Sequence, residues 1–66
     1  MEITVKVGDK EDTMEFSGEK TIKDLLESIE IATETVVIKK NNYIVIDEEL
    51  MEDGDVIEII QVIYGG

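Results

Sequence analysis

Ile3, Val5 and Val7 alternate with Glu2, Thr4 and Lys6, the period-two pattern of a strand with one buried and one wet face. Gly8-Asp9-Lys10-Glu11 interrupts the alternation with turn chemistry, and Met14 and Phe16 resume it against Thr13 and Glu15, which together predict an N-terminal hairpin. After Gly18 the period changes. Ile22, Leu25, Leu26 and Ile29 stand at i, i+3, i+4 and i+7, so their side chains share one face of a helix. Thr21 is placed to cap that helix, and Asp24 both completes a capping-box-like pair and puts negative charge near the positive end of the helix dipole. Lys23, Glu27, Ser28 and Glu30 form a solvated polar face.

Beyond the helix, Thr35 to Lys39 and Tyr43 to Ile46 are β-branched and aromatic runs around Lys40-Asn41-Asn42, and Asn tolerates the positive φ of a tight turn, so a second hairpin is expected. Asp53-Gly54 then turns the chain into its most β-prone stretch, Val56 to Tyr64. Glu58 must seek water, so Ile57 and Ile59 face the helix while Ile60, Val62 and Tyr64 fall on the outer face. Exposed together with Val37, these residues would form a protein-binding patch; local twist or a bulge turning some of them inward is the alternative. The order strand, strand, helix, strand, strand, strand predicts an α+β fold: one mixed sheet of four to five strands packed on a single helix. One domain covering 1–66 is expected, with a flexible Gly-Gly tail.

Size and composition narrow the chemistry. A chain of 66 residues buries only about 60% of its unfolded surface and has little room for an internal active site. With neither Cys nor His it offers no disulfide, no thiolate metal site, no thiol nucleophile and no imidazole base, so no catalytic residue is expected. The net charge of −11 repels phosphate backbones, which argues against nucleic acid and leaves a basic protein surface, or simple solubility, as the counterpart. Asp53, Asp55 and Glu58 are candidate acidic docking residues. Six carboxylates lie within residues 47–55, but their spacing does not match an EF-hand loop, so no metal site is expected. No stretch has the length of a signal peptide's apolar core or of a membrane span, which leads us to expect a cytoplasmic monomer without membrane contact.

Gly65-Gly66 places a carboxylate on a tail without side chains at the end of a strand-like segment. Leu50, the Asp53-Gly54-Asp55-Val56 turn and this Gly-Gly end occur in register with the strand pattern, and the whole chain resembles the ubiquitin-like β-grasp sulfur carriers of thiamine and molybdopterin synthesis and the small archaeal modifiers. The resemblance implies that an adenylating enzyme of the ubiquitin-activating type threads the tail into a channel and joins the Gly66 carboxylate to AMP from Mg-ATP. Sulfur then gives a thiocarboxylate for a sulfur-accepting synthase or for tRNA thiolation; alternatively, a thiol and then a lysine amine give an isopeptide on a target protein. The residue types suit such a scheme. An ionised carboxylate is a poor electrophile until it is activated, and glycines lack the Cβ that would obstruct a narrow channel. With no Gly-rich phosphate loop in the chain, nucleotide, magnesium and sulfur donor come with the partner.

Three functions follow: a sulfur carrier first, then a covalent modifier, then a β-grasp module never activated at its terminus. Lys6, Lys10, Lys20, Lys23, Lys39 and Lys40 are the lysines that could accept conjugation. The approach to the terminus, Ile60-Gln61-Val62-Ile63-Tyr64, lacks the Phe and Pro of the molybdopterin carriers, and Asp47-Glu48 stand where many thiamine carriers have a Pro and a basic residue. These departures point to stand-alone archaeal-type carriers.

Overall fold

Both expected hairpins form in the computed structural model, which describes residues 1–62. Strands β1 (Glu2–Val7) and β2 (Lys10–Glu15) pair antiparallel from Val7↔Lys10 to Glu2↔Glu15, and β3 (Val36–Lys40) pairs antiparallel with β4 (Tyr43–Val45). The second turn consists of Asn41 and Asn42 alone, with φ of 51° and 74°, the two positive angles that a type I′ turn requires. The last strand, β5 (Val56–Gln61), lies between the hairpins, parallel to β1 and antiparallel to β3. The result is one mixed five-stranded sheet in the order β2-β1-β5-β3-β4. The strand expected to run to Tyr64 is described only as far as Gln61, and a short 3₁₀ turn at Thr33–Thr35 precedes β3.

Helix α1 (Ile22–Ser28) covers the inner face of the sheet. Ile22, Leu25 and Leu26 are buried against Ile3, Val5, Ile38, Met51, Ile57 and Ile59, and Ile29 packs at the margin of this core. The parity expected from Glu58 holds: Ile57 and Ile59 are fully buried while Glu58 lies on the opposite face. The helix start is satisfied from two directions. Thr21 Oγ1 accepts the Asp24 amide while the Thr21 amide donates to Asp24 Oδ2, the reciprocal capping box. The Ile22 and Lys23 amides, which no helix can satisfy internally, donate to the carbonyls of Glu49 and Asp47. The run 47–49 thus lays its backbone carbonyls across the start of the helix.

The helix ends without glycine. Glu30 takes φ 60°, its amide reaches Glu27 O and the Ile31 amide reaches Leu26 O, the paired bonds of a Schellman motif.

The Thr21 amide and then the Thr21 hydroxyl hold the Asp24 carboxyl below its ordinary value of 3.8, with Lys20 and Lys23 adding to the effect. A carboxyl whose pKa falls on folding contributes stability above the unfolded value, and that contribution is lost as pH falls through the folded one. Thermal melts are therefore expected to show an acid-side loss of stability below pH of about 4 that is shallower in Asp24→Asn, the site having no charge left to protonate. Superimposable acid limbs would refute the assignment.

Candidate functional site

The outer face of the sheet divides by register into a charged part and an apolar part. Glu58 in β5 stands between Lys6 in β1 and Lys39 in β3, and Lys6 stands opposite Glu11 in β2. One step toward the end of β5, Val37 pairs across with Ile60, and the Val62 amide donates to Thr35 O, continuing the ladder toward the C-terminus. Ile60 and Val62 are 38% and 39% exposed, and Val37 is half-buried. The expected patch is therefore open at Ile60 and Val62 and half-covered at Val37, with no bulge turning these residues inward. Tyr64, Gly65 and Gly66 lie outside the described residues.

Ile44 adds to this face. It pairs with Lys39, which puts it diagonally beside Val37, and it is 73% exposed. The sequence pattern identifies the run Tyr43–Ile46 only as a hairpin arm. Counting outward from a two-residue turn would have set Ile44 opposite Lys39 and hence on the Val37 face.

Two of the three acidic docking candidates do something else. Asp55 is buried: its Oδ2 accepts the Glu52 amide at 2.7 Å, its Oδ1 accepts Asn41 Nδ2 at 3.0 Å, and the Lys40 ammonium lies 3.7 Å away. Asp53 Oδ1 accepts the Glu2 amide at 2.7 Å, and the Gly54 amide donates to the Glu2 carbonyl, so both polar groups of that backbone unit are held by this turn. Gly54 sits at φ 87°, which an L side chain rarely adopts. The Thr4 amide then donates to the Asp55 carbonyl and starts the parallel β1–β5 ladder. Asp53-Gly54-Asp55 is thus a clasp that delivers β5 into the centre of the sheet. Of the three, Glu58 alone lies on the outer face of the sheet, half-buried, while Asp53 is exposed at the turn and Asp55 is buried.

Lys40 belongs to the same clasp. Its ammonium donates to Glu49 Oε2 at 3.2 Å and to the Leu50 carbonyl at 3.0 Å, and its side chain is 17% exposed. Burial pulls its pKa down, but the Glu49 hydrogen bond and the charges of Asp55, Glu49 and Glu52 outweigh that and raise it. This engagement takes Lys40 out of the set of lysines free to accept conjugation, whereas Lys10 and Lys23 are exposed. Among the described residues no three carboxylates are arranged to hold a metal, and no helix is long and apolar enough to cross a membrane.

A mixed five-stranded sheet grasping one helix, with an apolar patch on its outer face where the last strand runs toward a Gly-Gly end, defines a ubiquitin-like β-grasp carrier. Residues 2–66 match the model of the ThiS family, and the chain belongs to that family of small sulfur carriers, which are not themselves catalysts. The crystal structure of the thiamine biosynthesis protein ThiS from Geobacter metallireducens superposes with a TM-score of 0.66 at 24% identity, covering 96% of this chain and 99% of that one. The solution NMR structure of a thiamine biosynthesis protein from the same organism also gives 0.66 at 24% identity, covering 96% and 87%. At this identity the structural likeness speaks for the fold, while the family rests on the model match. Asp47-Glu48, which had pointed away from the thiamine-type carriers, do not exclude the chain from the ThiS family.

Proposed function

We propose that this chain carries sulfur on its C-terminus. The Gly66 carboxylate attacks the α-phosphorus of Mg-ATP held by an adenylating enzyme, pyrophosphate leaves, and the resulting acyl adenylate is attacked at carbon by a sulfur nucleophile that expels AMP. One carboxylate oxygen is thereby replaced by sulfur, and the thiocarboxylate passes to a sulfur-accepting enzyme. The observation that carries this reading is the family match running through Gly66 together with the exposed Ile60 and Val62 and the half-buried Val37 on the outer face of the sheet. An apolar patch beside the reacting terminus lets an enzyme bind the carrier through area while the tail enters the active site. Glu58 is the open-face carboxylate beside this patch and would set orientation against a basic partner surface.

The test is an intact mass measurement on the purified chain after incubation with an adenylating enzyme of the ThiS pathway, Mg-ATP and a sulfur donor. A mass gain equal to exchange of one oxygen for sulfur is expected. An adduct joined through the tail to a lysine of a second protein would assign the chain as a modifier instead, and an unchanged mass without adenylate would reject activation by that enzyme class.

A further inference from the structure

The sheet has two edge strands, β2 and β4, and of these only β4 carries large exposed apolar side chains. Tyr43, Ile44 and Ile46 are 76%, 73% and 65% exposed, the three most exposed large apolar residues among those described, and they lie on one short edge strand and the residue just past it. Hydrogen-bond phase shows what that edge offers. In a hairpin closed by a two-residue turn the flanking pair, Lys40↔Tyr43, exchanges hydrogen bonds, and bonded and non-bonded pairs then alternate. The β3–β5 ladder agrees independently: the Asn41 amide donates to Val56 O and the Val62 amide to Thr35 O, which turns the Lys39 and Val37 backbone toward β5 and the Ile38 and Lys40 backbone toward β4. The Ile44 amide and carbonyl therefore point outward, away from the sheet.

Beyond Val45 the chain leaves the sheet, since the Glu49 amide folds back to Ile46 O, and β3 continues past the end of β4. The gap is a groove of about 330 Å³ lined by Thr33, Val36, Val37, Ile44, Ile46 and Asp47. Its floor is aliphatic. Its rim is acidic, with Asp47 on the lining and Glu48 and Glu34 exposed close by in sequence.

We propose that β4 accepts an extended, cationic segment of a partner protein as a sixth strand, with one aliphatic side chain of that segment in the groove and its lysines or arginines against Asp47, Glu48 and Glu34. Backbone bonds at Ile44 supply the pairing and the groove supplies selectivity, as in other additions of a strand to a sheet edge. Charge chooses the occupant. A second copy of this chain would bring another −11 to the same acidic rim, whereas a basic segment is drawn to it. No step of the tail chemistry enters this inference, so it stands or falls apart from the sulfur-carrier reading.

Titration of the ¹⁵N-labelled full chain with a short synthetic peptide of alternating lysine and valine tests it, alongside a lysine–serine peptide of equal length and charge. Amide shifts confined to residues 33–37 and 43–47, slowed hydrogen exchange at Ile44, and binding about tenfold tighter than the serine peptide are expected, the last being the effect of burying one aliphatic side chain. Ile46→Ser and Asp47→Asn should each weaken the valine peptide several-fold without lowering the melting temperature. Equal binding of the two peptides would overturn the proposal by reducing it to charge attraction. Shifts spread over the acidic surface, shifts confined to residues other than 33–37 and 43–47, or no binding would overturn it too.

Discussion

Deleting Gly66, or replacing Gly65 with valine, is expected to lower the rate of adenylate and thiocarboxylate formation at least about a hundredfold while leaving the melting temperature unchanged. The two effects separate because the parts of the chain that carry them are separate. The buried core runs from Ile3 to Ile59, and the clasp that organises β5 lies at residues 53–55, all before the tail. In the proposed reaction, by contrast, a Gly66 carboxylate oxygen has to reach the α-phosphorus of a nucleotide held by another protein, where a shift of about 1 Å would lose most of the rate and a Cβ at position 65 would narrow the path. Deletion of Gly66 moves the carboxylate back by one residue and leaves its chemistry intact, so loss of rate would isolate placement as the cause. Pyrophosphate exchange at wild-type levels in both variants would dismiss the tail as the activated group.

Asp55→Ala is expected to be the most damaging single change among the surface-loop acids, costing about 2–4 kcal/mol. It would strand the Glu52 amide and Asn41 Nδ2 and leave the Lys40 ammonium with one carboxylate neighbour fewer. For a domain of 66 residues, whose whole stability is about 3–10 kcal/mol, that is a large share. Urea denaturation read by circular dichroism checks it through the midpoint at unchanged slope. Asp53→Ala, which removes one exposed hydrogen bond to Glu2, should cost about 1 kcal/mol, and Glu58→Ala should stay within about 0.5 kcal/mol. If Asp55→Ala unfolded with the wild-type midpoint, the clasp would have to be abandoned and Asp55 returned to the docking surface.

Much of the architecture was legible because its signals are local. Alternation in 2–7 and the i, i+3, i+4, i+7 spacing of Ile22, Leu25, Leu26 and Ile29 each specify an element by its own periodicity, and Thr21 with Asp24 forms a cap within one helical turn. What escaped has no local signature. The helix closes on Glu30 in the left-handed region where a glycine would have announced the stop, and the carbonyls of Asp47 and Glu49 that finish its first turn come from a distant segment. The acidic stretch from 47 to 55 looked uniform because its six carboxylates carry the same charge. Folding divides it: Asp47 and Glu49 lend backbone to the helix, Met51 enters the core, Asp53 and Asp55 fasten β5, and Glu52 stays exposed.

By itself, then, the order of residues determined the elements and the parity of the last strand around Glu58. The tertiary structure alone decided which acids are free and which lysine is engaged, since a hydrogen bond between Asn41 and Asp55 or an ion pair between Lys40 and Glu49 depends on separations that no periodicity encodes. It also decided where the apolar surface lies. Register across β4, β3 and β5 gathers Ile44, Val37 and Ile60 from three strands onto one face, and register is a property of paired strands, set by turn length and by which face the core must bury.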